Sequence, residues 1–568
     1  MGAAGGVSAR CARRPSTILR QSYGWSPSPV NREGKCGHQE YAPTGVRTQS
    51  CRFPRPVKSP HSASMFSRRA LIAASAATGL AACARTDTPA DMLRVAIETL
   101  PDSLDPALGE FASAALVYKQ IHAGLTDYAP DGSVAPGIAT RWRVAPDGLS
   151  WVFALREDAR WSDSHPLTAD DVVWSARRLV DPQQSFANLG DFFAVANARA
   201  VLAGEMPPEA MGFTALDDHT IEVRLDTPLG LLPTLMREFY PFPRHAIDAH
   251  GRDWIRPENI VTAGAYTVTA ASQMSLDLAK NPHYAGAAGV AIERIRIDAV
   301  RDAGTRTRMF RAGEYDLAEK PPGNQIGYWR ERLGERFRSF DAPILRYLKV
   351  NHARPGLAPP ATRQALSAAI DRDFIAANFF DNTASITHRI IPPTDGMMAP
   401  VDQRPTTDPA LPGRVEIRTV PGVSEQIAIA IADDWRRIGV EAVLLVSYPT
   451  DLYQAVDSGD FDIAVASFNR GLKADPFFML DPFGPGGFAA NFNWDSPDFA
   501  AAMEMARRES DPVVRAIAYR EAERILLADQ AVIPLLHERA HWLVSDGITG
   551  TRPDIQPMLW RDLEIAHL

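Results

Sequence analysis

The segment of residues 414–446 constrains the fold most, because strand and helix patterns alternate along it. Residues 414–419 and 441–446 carry strand patterns. The residues between them carry a helical pattern that ends at Gly439. Two strands joined by a helix typically pair in parallel, as in a βαβ unit. We therefore predict an α/β region here, within a mixed α/β and α+β architecture.

Strand patterns are frequent in the first half of the chain, and long helical patterns dominate the second. We predict strands at residues 93–97, 151–155, 221–225 and 461–466, and helices at residues 112–125, 361–380 and 511–530. Thr168 with Asp171 three residues later predicts the start of a helix that continues to Leu179. A chain of 568 residues is too long for one core, so we expect two or three domains.

The first 92 residues contain a leader pattern rather than a domain pattern. Residues 1–64 are rich in Pro, Gly, Ser and Arg, and we interpret them as an upstream extension without structure. Residues 65–82 combine two arginines with a short apolar stretch, which is typical of an export signal. Cys83 ends a Leu-Ala-Ala-Cys sequence similar to a bacterial lipobox, so we predict its lipidation and a linker at 83–92. A plain secretory signal is the alternative.

The cysteines and the charge exclude several classes of site. All four cysteines lie at or before position 83, so a cysteine zinc site and internal disulfides are excluded from the rest of the chain. Such a chain suits an oxidising compartment, the periplasm or cell envelope. The formal net charge of −8 disfavours nucleic acid as a partner. We expect a monomer without a cofactor.

One short motif points to a different class. Residues 535–541 contain His537-Glu538-x-x-His541, which on a helix places two imidazoles around a zinc ion with the glutamate as general base. A zinc-dependent hydrolase is therefore one alternative. On a strand the two histidines are ~13 Å apart and cannot share one ion.

Seven segments occur in the order found in one family of binding proteins. Residues 161–173 read W-S-D-S-H-P-L-T-A-D-D-V-V, similar to the family's W-S-D-G-x-P-L-T-A-x-D-V-V. The other segments are residues 103–106, 259–266, 280–284, 363–372, 459–462 and 532–535. From residue 93 to 568 the chain resembles the extracellular solute-binding proteins of peptide-class ABC importers, in particular the oligopeptide-binding proteins.

The resemblance implies a two-lobed periplasmic-binding-protein fold that closes at a hinge around a peptide or peptide-like ligand. Lobe one is expected at residues 91–345 plus 536–568, with a subdomain at about 127–215, and lobe two at 346–535. The closed form is expected to meet ABC permease subunits driven by cytoplasmic ATPases. Alternatives are a non-peptide solute, such as a metal chelate, an opine or a sugar acid, and a ligand sensor without a transport role.

The segment that sets specificity departs from the peptide pattern. Oligopeptide-binding relatives hold the ligand's amino terminus with an aspartate shortly after a strand that begins Phe-Asp, and an arginine lies nearby on that strand. Here Val465 stands at the arginine position and Gly471 at the aspartate position. An ammonium group buried without a partner is costly. Either Asp475 or Glu538 replaces the missing carboxylate, or the ligand has no free amino terminus there.

The remaining candidates are predicted from position and charge. Phe468 matches a family aromatic that packs on the ligand, and Asn469 follows it. Arg470 and Lys473 add positive charge, which favours an anionic or amino-blocked ligand; solvated loop charges are the alternative.

Five further candidates follow strands or lie on the expected return strand, with packing or solvated positions as the alternative. They are Thr99, Leu100, Tyr448, His537 and Glu538.

Overall fold

The computed structural model describes residues 92–109, 112–129, 132–182, 194–392, 409–469, 475–484, 487, 489–551 and 559–566. The predicted extension, export signal, lipidation site Cys83 and the loop residues Arg470 and Lys473 lie outside these residues. In the part of the chain that is described, no helix is both long and apolar enough to span a bilayer.

The strands follow the chain in this order: β1 (Met92–Ile97), β2 (Thr126–Tyr128), β3 (Val134–Pro136), β4 (Ala139–Val144), β5 (Ser150–Leu155), β6 (Phe213–Asp217), β7 (Thr220–Arg224), β8 (Tyr266–Ala271), β9 (Ser275–Lys280), β10 (Arg294–Ala299), β11 (Leu317–Glu319), β12 (Phe337–Val350), β13 (Ser385–Ile386), β14 (Arg414–Thr419), β15 (Glu441–Val446), β16 (Ile463–Asn469), β17 (Val532–Val544), β18 (Ile548–Thr549) and β19 (Glu564–Ile565).

The α-helices are α1 (Ala112–Ile121), α2 (Ala169–Leu179), α3 (Ala198–Leu202), α4 (Leu232–Leu235), α5 (Arg244–His250), α6 (Ala303–Arg311), α7 (Ile326–Leu333), α8 (Pro360–Ala368), α9 (Arg372–Phe379), α10 (Val423–Arg437), α11 (Pro449–Ser458), α12 (Pro476–Leu480), α13 (Pro497–Arg508) and α14 (Pro512–Ala528).

One large mixed sheet organises both halves of the protein. Its strands lie side by side in the order β15-β14-β16-β12-β17-β11-β1-β10-β9-β8, and β13 pairs with β17. The strands up to β11 form one half, and β14, β15 and β16 form the other. The antiparallel strands β12 and β17, here called the central pair, join the two halves. This is the two-lobed, mixed α/β fold predicted from the sequence; the exact lobe boundaries stay predictions.

The strand–helix–strand prediction is confirmed. β14 and β15 pair in parallel, with Arg414 opposite Glu441, and α10 connects them. The indole of Trp435 in α10 is fully buried and donates to the carbonyl of Leu366 at 2.9 Å. Burial of this face against the sheet is what orients the helix, since burying apolar surface is the main driving force for packing.

A separate antiparallel sheet of order β4-β5-β7-β6 lies in the first half. It continues to Arg224, beyond the predicted subdomain of residues 127–215. Its buried face packs against α2, which begins as predicted after Thr168, whose backbone N–H donates to the Asp171 carboxylate at 3.0 Å.

One helix prediction is wrong. Residues 361–380 form two helices, α8 and α9, instead of one. The break follows from Asp371, whose carboxylate accepts the N–H of Phe374 at 2.8 Å and so caps the start of α9. Asp371 and Arg372 therefore begin a helix, whereas the sequence analysis places them inside one continuous helix.

Candidate functional site

The large sheet narrows to its central pair near the middle of the molecule. Residues 339–341 of β12 pair only with residues 539–541 of β17 among the described residues. Residues 342–343 have no partner, because the register shifts between Asp341 and Ile344. We call residues 339–343 and 539–541 the narrow stretch. At this stretch the ladder of the large sheet contains only β12 and β17 among the described residues.

Parallel strands of both halves end at this narrow stretch. In the first half, β11 leads to Lys320, whose backbone N–H donates to the carbonyl of His541 at 2.9 Å. In the second half, β16 ends at Asn469, which lies opposite Ile344. Ligand crevices of open α/β sheets lie at the carboxyl ends of parallel strands. The narrow stretch is therefore the expected floor of a ligand site.

Phe468 and His537 lie on either side of Leu345, as its partners in β16 and β17. Phe468 is buried, and its ring packs against Tyr347 and Phe483 with centroids 5.7 and 5.8 Å away. These contacts favour a packing role for Phe468 over direct ligand contact.

The imidazole of His537 is also buried, and the backbone of His537 pairs with Ser385 of β13. Neither ring nitrogen makes a hydrogen bond of good geometry within the described residues. Burial lowers the pKa of His537 to about 4, although the nearby carbonyls of Arg389 and Ile344 favour the charged form. His537 is therefore neutral at physiological pH.

Glu538 and Asn469 flank Ile344, so they lie on the opposite face of the sheet from Leu345. The Glu538 carboxylate accepts from the guanidinium of Arg346 at 2.6 and 2.7 Å. Arg346 is only 8% exposed and also donates to Ser424 Oγ at 3.0 Å. The sequence analysis missed Arg346; a charged residue inside an apolar strand was the available signal.

Asp475 has a local structural role. Its carboxylate accepts the N–H of Phe477 at 2.9 Å and caps α12. It also lies 3.8 Å from the buried guanidinium of Arg515. Both carboxylates considered as replacements for the missing aspartate, Asp475 and Glu538, thus already face an arginine.

The other candidates lie at strand ends. Thr99 and Leu100 are half-buried just after β1, and Leu100 packs against the core of the first half. Tyr448 follows β15, is 76% exposed and stands at the N-cap position of α11. Their ligand contacts stay predictions.

The His-Glu-x-x-His motif does not form a helical zinc site. His537, Glu538 and His541 lie on the 13-residue strand β17, as the strand interpretation predicts. His541 instead makes a hydrogen bond between its Nδ1 and Ser339 Oγ at 2.9 Å, and burial lowers its pKa to about 4.

The family profile for bacterial extracellular solute-binding proteins, family 5, matches residues 133–490. The chain belongs to this family. The resemblance stated from the sequence is thereby confirmed. Members of family 5 are binding proteins and not enzymes, and the named relatives are periplasmic.

Curated relatives are similar over most of their length. "Probable deoxycholate-binding periplasmic protein YgiS" of Escherichia coli is 27% identical over 487 residues, 81% of this chain and 91% of that protein. The periplasmic murein peptide-binding protein MppA of Escherichia coli is 27% identical, over 80% of this chain and 89% of that protein. The periplasmic oligopeptide-binding protein OppA of Salmonella typhimurium is 27% identical, over 85% of this chain and 94% of that protein.

Solved family 5 structures share the fold. The unliganded open form of MppA superposes with a TM-score of 0.74 at 24% identity, covering 84% of this chain and 98% of that chain. Haemophilus influenzae OppA in complex with the peptide RPPGFSPFR gives a TM-score of 0.66 at 23% identity, covering 84% of this chain and 100% of that chain.

Proposed function

We propose that this family 5 protein is the substrate-binding lipoprotein of an ABC importer. It captures a peptide or peptide-like solute between its two halves and delivers it to membrane permease subunits. The observation that carries the proposal is the convergence of parallel strand ends from both halves on the narrow stretch. A ligand there contacts both halves at once, so binding favours a closed arrangement.

The ligand site, in this proposal, lacks a partner for a free amino terminus. Val465 and Gly471 replace the charged pair expected of oligopeptide-binding proteins. Asp475 caps a helix and faces Arg515, and Glu538 is bound by Arg346. Binding an ammonium group would require breaking one of these arrangements. We therefore propose that the preferred ligand is anionic or has a blocked amino terminus.

One named relative supports a non-peptide anion. YgiS carries deoxycholate in its name, and deoxycholate is a carboxylate without an amino group. MppA carries murein peptide in its name, which favours a peptide instead. A non-peptide anion is therefore the second candidate ligand for this chain, on the same cleft.

The lipid anchor and the periplasmic location rest on residues 65–83. In this proposal the export signal is removed and Cys83 carries the lipid, which holds the protein at a bacterial membrane near its permease. Mass spectrometry of the native protein tests this part, since a diacylglyceryl-modified peptide beginning at Cys83 is expected. A mature chain that retains residues 1–64 contradicts it.

Calorimetric titration tests the ligand class with three probes: a neutral tripeptide, its N-acetylated form and deoxycholate. Acetylation should leave the affinity unchanged or raise it, because both candidate carboxylates, Asp475 and Glu538, already face arginines. Loss of binding on acetylation contradicts the proposed ligand class. If none of the probes and no co-purified solute binds, the receptor function itself is contradicted.

The Arg470→Ala variant tests the positive loop. It should weaken an anionic probe several-fold and leave a cationic tripeptide unaffected, because only the anion gains from the guanidinium. Arg508→Ala is the matched control, since Arg508 is exposed and pairs with Glu504 on the same helix. Equal effects of Arg470→Ala on both probes contradict this role.

A further inference from the structure

A cluster of two histidines and an aspartate lies outside the central pair and the proposed ligand site. Asp163 Oδ2 is 2.9 Å from Nδ1 of His165 and 2.7 Å from Nε2 of His245. The two imidazole rings stack with centroids 4.5 Å apart. Among the described residues, these three form a group whose ligand atoms all lie within 4.8 Å of one another.

The chain holds two of these residues in a tight turn. Ser164 adopts the left-handed conformation with φ 74°, at the position where the family pattern has glycine. The N–H of Ser164 donates to the carbonyl of Trp161 at 2.9 Å. The N–H of Trp161 donates to the carbonyl of His165, also at 2.9 Å. This geometry places Asp163 and His165 side by side.

The third residue comes from a distant element. His245 lies in α5, 82 positions after Asp163, and its ring contacts Trp161 edge-on at 6.3 Å. The turn itself is anchored by Ser162, whose N–H donates to the carbonyl of Thr262 at 2.8 Å. Both arms of the cluster are therefore held by the fold before any ligand binds.

The donor set matches the chemistry of zinc. Zinc takes imidazole nitrogens at about 2.0–2.1 Å and carboxylate oxygens at about 2.0–2.2 Å, usually with tetrahedral geometry. One carboxylate oxygen now accepts from both rings, so each ring carries a proton on the nitrogen that faces it. An ion would replace these two protons with small movements of the side chains. His165 is largely exposed, which leaves the fourth position open to water.

The charges around the cluster are compatible with a cation. Although partial burial opposes it, the hydrogen bonds from the His245 ring and the His165 backbone lower the pKa of Asp163. The guanidinium of the neighbouring Arg244 pairs with the Asp248 carboxylate, with Nε and Oδ2 3.3 Å apart. The carboxylate is thus ionised at neutral pH and available as a ligand.

We propose that Asp163, His165 and His245 form a zinc site that links the turn at residues 161–166 to α5. Its three residues are not among the residues of the proposed solute cleft or of the His-Glu-x-x-His motif. Bound zinc would fix the position of α5 relative to the turn.

Zinc titration of the full chain tests the proposal. The protein is prepared without a polyhistidine tag, its four cysteines are alkylated, and zinc affinity is measured by competition with a chromophoric chelator. The wild type should bind one more zinc ion than His165→Ala or His245→Ala. Replacing a residue that only supports a metal ligand lowers metal affinity about 10–100-fold. Replacing a ligand itself should lower the zinc affinity at least as much.

His250→Ala is the matched control, because His250 is exposed at the end of the same helix and is not part of the cluster. It should bind zinc like the wild type, and zinc should raise the Tm of both, but not of His165→Ala. Because His165 is exposed, its replacement leaves the core intact. The His165→Ala variant therefore tests the zinc site even if His245→Ala fails to fold. Equal zinc binding by His165→Ala and wild type, or equal loss in His250→Ala, overturns the proposal.

Discussion

The buried charges of this protein mark its structural residues more clearly than its ligand site. Asp105, in the Ser-Leu-Asp-Pro segment, is 3% exposed and lies 2.7 Å from Arg178, whose side chain is 9% exposed. Its other oxygen accepts the N–H of Ala107 at 3.0 Å. The guanidinium also packs over the ring of Phe242 at 4.5 Å. This family segment thus holds the end of α2 against the loop after β1.

Replacing Asp105 tests this role. Asp105→Asn should lower the free energy of unfolding by about 3–5 kcal/mol, because it removes the carboxylate charge that faces the Arg178 guanidinium at 2.7 Å in a largely buried position. Urea denaturation followed by circular dichroism measures the change. Glu521→Gln is the control, since its pair with Arg524 is exposed and solvent screens it. A change in Asp105→Asn no larger than in this control argues against a buried ion pair.

For single residues, the sequence predicts the secondary structure in which a residue lies better than the side chain that it contacts. The strand position of His537 and Glu538 could be predicted, because the family pattern extends through Pro534 and Leu535. The partner of Glu538 could not, because Arg346 lies 192 positions earlier and only the pairing of β12 with β17 brings them together. The cluster of Asp163, His165 and His245 could not be predicted from the sequence for the same reason, since His245 lies 82 positions after Asp163.

At the scale of elements, Arg372 links the family segments 363–372 and 532–535 by binding backbone carbonyls. Arg372 donates to the carbonyl of Pro534 at 2.9 and 3.1 Å and to the carbonyl of Ser367 at 2.8 Å. Pro534 pairs with Tyr347, and the register then shifts so that Leu535 has no partner in β12. Arg372 therefore fixes an irregular point of β17 to α8 and α9.

Arg372→Ala should lower the free energy of unfolding by about 3 kcal/mol, because it leaves buried carbonyl groups without donors. The matched control is Arg436→Ala, since Arg436 pairs with Asp433 at the exposed surface of the same half. Thermal unfolding measured by calorimetry separates the two variants. Similar Tm values for both would contradict the anchoring role.

Elements with clear boundary signals could be predicted from the sequence to the residue. β14 and β15 match the predicted ranges, since turn residues such as Gly439 bound them. The division between α8 and α9 could not be predicted because both segments have helical composition and an aspartate such as Asp371 also occurs within helices. α13 was missed although Ser496 and Pro497 carry a helix-start signal, with Ser496 accepting the N–H of Phe499 at 3.2 Å.

For the whole molecule, buried histidines predict a loss of stability in acid. Burial lowers the pKa of His122 and His537 to about 4, from an ordinary value of 6.5. The unfolded chain therefore takes up protons below pH 6.5 that the folded chain cannot bind. The free energy of unfolding should fall from pH 6.5 to pH 4, by at most on the order of 3 kcal/mol for each residue.

His122→Phe tests this prediction, because the His122 ring packs between Tyr118 and Tyr240 and a phenyl ring suits that position. Between pH 6.5 and 5 the Tm of this variant should fall less steeply than that of the wild type. His250→Ala, which changes an exposed histidine, should keep the wild-type slope. Parallel Tm profiles for all three proteins would be inconsistent with a neutral His122 in the folded state.

The overall architecture was predictable through the order of family segments, but the assembly of its halves was not. Local patterns predict each strand, whereas the neighbours of β12 depend on contacts between residues far apart in the chain. Tyr347, for example, pairs with Ala466 on one side and Pro534 on the other. Neither pairing has a signal within a short window of sequence.

Because β17 lies between β12 and β11, the large sheet can form completely only after β17 has been synthesised. The strand at the middle of the sheet is synthesised nearly last, so both of its neighbours have an open edge until residue 544 has emerged. A nascent chain therefore cannot close its sheet early, and one truncated before residue 532 should aggregate through those edges.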